Sequence, residues 1–204
     1  MTSERAAAPT LPGQRERLEG RHVVLEPLDG AGALELAQVL RKPEVFAGGF
    51  GGGPAGLPGT DRAFADWLSG YAPGPDAGRS YLVRSRTGEA LGTTSLYARS
   101  AERRSIMIGY TAYDPDAWGR GLNPDVKRTL LEAAFSRGFH RVVFEVDERN
   151  ERSQAAVRRL GAHEDGRLRE DRLRADGSWR TSVQFSILEQ EWPDVRAGLD
   201  ARIP

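Results

Sequence analysis

The chain contains no cysteine. That excludes disulfides, a thiolate nucleophile and cysteine-ligated zinc, and it is compatible with a reducing compartment. Histidine is scarce too: His22, His140 and His163 are the full set, and no pair has H-x-x-x-H spacing. No metal site is expected from them. No apolar run approaches the ~20 residues of a spanning helix. The polar opening residues do not read as a signal peptide. The expectation is a cytoplasmic protein with no membrane association. Charge of one sign is missing as well, because 29 basic and 29 acidic residues leave a formal net charge of zero. Nothing global therefore points to nucleic acid as a partner.

What remains is a chain of 204 residues, enough for one domain with a sizeable core. Residues 1–17 mix Ala, Pro, Gly and charges without period and read as a disordered leader, so the domain is expected over 18–204. Arg21 to Leu28 reads as a short strand. Helical spacing follows from Ala33 to Leu40, with Leu36, Val39 and Leu40 on one side. Seven of the twelve residues from Gly48 to Gly59 are glycine, a segment costly to order and easy to move. Thr60 is placed to cap a helix whose apolar face is Phe64, Trp67 and Leu68. Strands are expected at Ser80–Val83, Ala90–Tyr97 and Arg104–Tyr113. A helix then presents Val126, Leu130, Leu131, Ala134 and Phe135 on one face and stops at Gly138. Arg141–Asp147 is a strand. Asn150 caps a helix from about Glu151 to Leu160, with Gly161 as its stop. Two strands flank Asp176-Gly177, a hairpin signal, and a short helix is expected in the tail from Glu189. The strand–helix–strand unit in the middle implies one parallel pair in a mostly antiparallel sheet, hence an α+β fold.

Two short motifs carry the chemistry. The first is Trp118-Gly-Arg-Gly-Leu-Asn123, between a strand and a helix. Gly119 and Gly121 allow close backbone approach. Asn123 reads as the N-cap, with Pro124 at the first helical position. Free N–H groups and the helix dipole there favour a phosphate. A dinucleotide fold would need G-x-G-x-x-G and an alternating βαβ chain, and neither is present. The second motif is Asn150-Glu-Arg-Ser153, where Asn150 caps the next helix and the Ser153 hydroxyl lies in its first turn. Each motif alone is also an ordinary loop-to-helix connection.

In order along the chain these segments resemble the GNAT acyl-CoA N-acyltransferases, and among them the branch of the ribosomal-protein N-terminal acetyltransferases RimJ and RimL. The likeness rests on Ile108-Gly-Tyr110, Trp118-Gly-Arg-Gly121, Arg141-Val142, Val146, Asn150, Ser153, Leu160-Gly-Ala162, Asp165-Gly-Arg-Leu-Arg169 and Leu91-Gly-Thr-Thr94. It spans roughly residues 20–190. The family's usual turn is Q/R-x-x-G-x-G/A; here Trp118 holds the first position and Asn123 the last. The resemblance implies a GNAT fold, with a mostly antiparallel sheet flanked by helices and splayed open between the strands ending near Tyr113 and Asp147. It implies acetyl-CoA as cosubstrate. Pantetheine would lie against Ala112 and Tyr113, and the pyrophosphate on Trp118, Gly119, Arg120, Gly121, Leu122 and Asn123, while Asn150 orients the pantetheine arm.

The same resemblance implies acetyl transfer to a primary amine by direct attack. That chemistry needs a neutral amine, donors to the thioester oxygen and an acid for the departing thiolate. Ser153 stands where the RimL-like branch has its acid candidate. Glu145 and Asp147, sharing one face of their strand, are the candidates for base, with Glu102 as a third through water; all three also read as strand carboxylates pairing with arginine. The glycine-rich segment is expected to cover the acceptor, a small molecule or a peptide. Arg99, Arg103 and Arg104 read as a hairpin edge, and His140 and His163 as structural. A homodimer is expected through the last strands and the tail helix at Trp192. The rival readings are a catalytically inactive CoA-binding regulatory module and a binder of some other nucleotide.

Overall fold

The computed structural model describes residues 7–204. Eight strands are built from β1 Leu18–Glu19, β2 Val23–Pro27, β3 Gly78–Ser85, β4 Ala90–Ser100, β5 Ser105–Tyr113, β6 Arg141–Asp147, β7 His163–Leu173 and β8 Trp179–Leu188. They form one sheet in the order β1-β2-β3-β4-β5-β6-β8-β7. Among the described residues only β5 and β6 run parallel, and the other neighbours are antiparallel. The helices are α1 Gly30–Leu40, α2 Pro43–Ala47, α3 Asp61–Tyr71, α4 Leu122–Phe135, α5 Glu151–Arg159 and α6 Trp192–Asp200. This is the α+β arrangement that the strand–helix–strand unit implied.

Helices cover both faces of the sheet. On one face α4, α5 and α6 bury Val126, Leu130, Leu131, Val157, Trp192 and Leu199 against Ile106, Ile108, Val142, Phe144 and Val146. Full burial of each such side chain is worth about 1.5–3 kcal/mol, so this cluster fixes where the helices lie. On the other face α1, α2 and α3 bury Leu36, Leu40, Phe46, Phe64 and Leu68. Two caps lie where the sequence put them. Thr60 accepts from the Ala63 N–H at 3.1 Å, and Asn150 accepts from that of Ser153 at 2.9 Å.

Four expectations need correction. Of the expected leader, residues 1–6 lie outside the described residues, but 7–17 are tied to the body. The Pro12 carbonyl accepts from Arg79 at 2.7 Å, the Pro9 carbonyl accepts from Arg99 at 3.1 Å, and Glu16 pairs with Arg137. Composition without period does not reveal such long-range partners. Second, α4 begins at Leu122, with Gly121 in left-handed conformation at its cap and no side-chain cap bond. Asn123 is inside the helix, and its Oδ1 accepts from the Tyr113 hydroxyl at 3.1 Å. Third, the glycine-rich segment carries short 3-10 turns around Phe50–Gly52 and Pro54–Gly56. A Cβ on Gly51, whose φ is +65°, would lie 2.8 Å from a Phe46 ring carbon and 2.9 Å from Trp67. Close packing on aromatic rings, rather than ease of movement, accounts for glycine there. Fourth, Trp192 is 8% exposed, with its ring centroid 5.6 Å from that of Phe135, so it belongs to the core and offers no docking surface.

Candidate functional site

The parallel pair is short. β5 and β6 pair only from Ser105↔Arg141 to Met107↔Val143. Beyond Met107 the two strands diverge, and β5 from Ile108 to Tyr113 faces β6 from Phe144 to Asp147 across a gap. A bulge sits in β5 at the point of divergence. Gly109 pairs with Ser95 and Ala112 with Thr93, so two residues stand opposite Thr94. Tyr110 takes the strain with a φ of +51°. The bulge resets the alternation of faces. Thr111 turns towards α4, and Ala112 joins the cluster under α1 and α3.

At the wide end of the gap the chain leaves β5 and makes the Trp118–Asn123 turn. Gly119 and Gly121 have φ of +78° and +76°. The first amide of α4 with a backbone partner is Asp125, to Gly121 at 3.4 Å. The N–H groups of residues 119–123 find no backbone acceptor among the described residues. Amides left free at the N-terminus of a fourteen-residue helix are the arrangement that favours an anion. The Asp125 carboxylate, which would oppose an anion if it faced the turn, points elsewhere: it is 1% exposed and accepts from the Arg21 and His22 N–H groups at 2.9 and 2.7 Å. Trp118 is anchored by its indole N–H to the Tyr113 carbonyl at 3.1 Å. Arg152 of α5 lies over its ring at 3.7 Å from the centroid. The structure thus brings Tyr113, Trp118 and the start of α5 to one mouth. The Arg120 side chain is exposed there and Leu122 is buried.

Asn150 and Ser153 meet at the same end. Asn150 caps α5 through Oδ1, and its Nδ2 donates to the Gly48 carbonyl. It therefore joins α5 to the glycine-rich segment, which also accepts from the Ala175 N–H at the Gly52 carbonyl, 3.2 Å away. The segment spans the open end of the gap. The Ser153 hydroxyl is half-buried and makes no hydrogen bond among the described residues.

The carboxylates on β6 share the face of α1 and α3, as period two requires, and both are held by arginine. Asp147 accepts twice from Arg174, at 2.6 and 2.7 Å, and once from the Arg149 N–H at 2.9 Å. Burial pushes its pKa up, but these bonds outweigh burial and hold the carboxyl below its ordinary value. Glu145 pairs with Arg172 and accepts from Gln184 at 3.3 Å. Glu102 is not part of the site. It sits in the β4–β5 turn, before the paired stretch of β5, at the closed end of the splay.

Three features escaped the sequence reading. Lys127 of α4 is 5% exposed and has no carboxylate partner among the described residues; its Nζ donates to Thr111 Oγ1 at 2.8 Å, and Thr111 Oγ1 lies 2.8 Å from Thr94 Oγ1. Burial pushes its pKa down to about 7. The signal was available, since Lys127 stands three and four residues before Leu130 and Leu131 on the apolar face. Tyr71, Tyr110 and Tyr97 form a second feature, an aromatic wall with successive centroids 4.9 Å apart. The third is Arg180 on β8. His140 lies 3.7 Å from Glu189 and His163 3.4 Å from Glu191, both with exposed side chains.

The comparisons agree with this geometry. The family model described as an acetyltransferase (GNAT) domain matches residues 22–163. A solved structure from T. thermophilus, described as an acetyltransferase, is 37% identical over 93% of this chain and 97% of that one, with a TM-score of 0.81. A GCN5-related N-acetyltransferase from Brucella melitensis is 24% identical over 98% of this chain and 90% of that one, with a TM-score of 0.84. Mycobacterium smegmatis RimJ, solved with CoA-disulfide, is 20% identical over 94% of this chain and 97% of that one, with a TM-score of 0.72. The last two show likeness of fold. No curated protein matches the chain. A family model covering most of the domain and a solved relative above one-third identity establish that this chain belongs to the GNAT acetyltransferase family and is an N-acetyltransferase.

Proposed function

We propose that the enzyme moves an acetyl group from acetyl-CoA to a primary amine, with the donor seated in the gap between β5 and β6. The observation that carries this reading is the row of unpartnered N–H groups at residues 119–123, where α4 begins beside an unpaired strand edge. The pyrophosphate fits those amides, and a Cβ on Gly119 would meet open space, so nothing fills the approach. Pantetheine lies along Ala112 and Tyr113 like an added strand, with Asn150 at its other side.

The amine enters from the face of α1 and α3, beneath the glycine-rich segment. Its nitrogen attacks the thioester carbonyl carbon; the N–C bond forms and the C–S bond breaks. Ser153, whose hydroxyl has no competing partner, gives its proton to the departing sulfur. The attacking nitrogen sheds a proton to Glu145, and the hydroxyl is reprotonated through solvent. Both carboxylates are held, but Glu145 has an arginine at one oxygen only, with the neutral Gln184 amide 3.3 Å from the other, whereas Arg174 occupies both oxygens of Asp147, which suits it less well to the base role. A carboxylate held ionised in this way instead favours the approach of an ammonium group.

A homodimer is part of the same proposal, now through β7. That strand is the edge of the sheet and is exposed along its length, and Leu168, Leu173 and Trp179 stand at 41%, 59% and 55% exposure on the β7–β8 hairpin. A long unpaired edge is a template for a second chain. Light scattering tests it, with 22.4 kDa as the monomer mass.

The decisive experiment is a panel of amines and peptides incubated with acetyl-CoA and scored for free thiol. Release above the hydrolytic background with a primary amine is the expected result. Stabilisation by CoA with no thiol release from any amine would instead leave an inactive CoA-binding module.

A further inference from the structure

Arg180, on the cleft face of β8, has a side chain without a partner among the described residues. It pairs with Arg172 across the β7–β8 ladder and precedes Ser182 and Gln184 on the same face, and these two stand opposite Asp147 and Glu145 of β6. Among the described residues its guanidinium makes no hydrogen bond and has no carboxylate within ion-pair distance, and its Nε is buried with nothing to receive its proton. The neighbouring carboxylates are all taken. Arg174 holds Asp147 by two bonds, and Arg172 holds both Glu145 and Asp171. Burial and then the like charge of Arg172 oppose the Arg180 charge, and Asp147, Asp171 and Glu145 support it only from a distance. The guanidinium nevertheless stays protonated.

The space it faces is bounded. Arg180 shares with Glu145 and Asp147 the sheet face that α1 and α3 cover, the face on which the aromatic wall of Tyr71, Tyr110 and Tyr97 stands. Phe50 of the glycine-rich segment packs edge-on against Tyr71 with ring centroids 5.5 Å apart, and Gly52 accepts from Ala175 on the turn that precedes Arg180. The glycine-rich segment thus closes the space from above. A guanidinium is a planar fork of donors that matches a carboxylate with two parallel bonds. Buried donors are nearly always satisfied, and one that the protein itself leaves open calls for an acceptor from outside.

We propose that the amine acceptor carries a carboxylate, that Arg180 receives it, and that the body of the acceptor packs against Tyr71, Tyr97 and Tyr110. This inference rests on the reading of the β5–β6 gap as the donor site and names the substrate class of the adjoining space. Arg180 then selects acceptors in the way sites built for hydrogen bonding do, by rejecting analogues that leave its donors unpaired.

The test uses pairs that differ only in the carboxylate: L-phenylalanine and its amide, β-alanine and its amide, and glycyl-L-phenylalanine and its amide. Each is assayed with acetyl-CoA for thiol release. The N-acetyl forms of all six are titrated into protein saturated with CoA, as a binding readout independent of turnover. The expected result is at least one acid preferred over its amide by tenfold or more in kcat/KM or in Kd. Arg180→Gln should erase that preference, and Arg180→Lys, which keeps the charge but not the fork, should retain part of it. The amides carry the less basic amine, so intrinsic reactivity works against this outcome. Equal or better use of the amides, a preference that survives in Arg180→Gln, or no acid turned over or bound would overturn the proposal. In each of those cases stabilisation by acetyl-CoA, measured on the same samples, leaves the donor reading standing; its absence in the unaltered protein would sink both.

Discussion

The Arg152 guanidinium stacks on the Trp118 indole with its carbon 3.7 Å from the ring centroid, while the indole N–H is bonded to the Tyr113 carbonyl. One side chain of α5 is thereby clamped, through one aromatic ring, to the end of β5. The two sequence motifs that suggested a function meet at this contact. It holds the wide end of the splay at a fixed span, and the free amides of residues 119–123 lie beside it.

Arg152→Ala should weaken donor binding. A cation–π contact at a partly exposed site is worth about 0.5–2 kcal/mol, so the Kd for CoA should rise roughly twofold to thirtyfold at little cost in melting temperature. Calorimetric titration of CoA measures this without any acceptor. An unchanged Kd would mean the clamp does not set the site.

Gly119→Asp should abolish donor binding by placing a carboxylate over the anion site. Gly119 is a cleaner choice than Gly121, where a Cβ would lie 2.6 Å from the Pro204 ring and would disturb packing first. In the unaltered protein, acetyl-CoA at one hundred times Kd should add about 2.7 kcal/mol of stability. Gly119→Ala controls for backbone strain at positive φ and should keep most of that gain.

Ser153→Ala should lower kcat by roughly 10²-fold or more, the usual span for a positioned acid, with CoA affinity nearly unchanged. The N–H of Ser153, not its hydroxyl, makes the capping bond to Asn150. The substitution therefore leaves the cap intact, and stability should shift little. A kcat near that of the unaltered enzyme would remove Ser153 from the mechanism.

Lys127→Met should change how stability depends on pH. Burial pushes the lysine from 10.5 in an ordinary setting down to about 7. Between those values the unfolded chain holds a proton that the folded chain has released, so stability rises with pH across that window and is level below it. Lys127→Met removes the slope, and it should be the more stable form at pH 7, by on the order of 1 kcal/mol or more. Urea midpoints at pH 7 and pH 9 decide the matter. An equal slope in both proteins would show that Lys127 keeps its proton.

Much of the molecule was legible from local pattern. Capping by Thr60 and Asn150 depends on residues three apart, and the hairpin at Asp176-Gly177 on a turn whose Gly177 takes a φ of +79°. The apolar faces of α1, α3 and α4 follow from the helical period alone. The glycine turn was also visible, because the need for close backbone approach is written in residue type. The fate of the carboxylates was not. Glu145 and Asp147 could be placed on one face of β6, but their partners Arg172 and Arg174 arrive from β7 and the turn after it, and no sequence spacing encodes that meeting.

By itself the sequence determined the longer strands and helices and the glycine turn before α4, since those depend on contacts within a few residues, while the short β1 and α2 and the position of the α4 cap were not legible in it. The tertiary structure alone decided what those elements do to each other. It limits the β5–β6 pairing to three residues and so opens the cleft. Among the described residues it seats Lys127 under the β5 bulge without a counter-charge, ties residues 7–17 to the body, and leaves Arg180 unpaired while every nearby carboxylate is taken. Each of these is a property of groups distant in the chain, where burial and the competition among several charges for the same partners set the outcome.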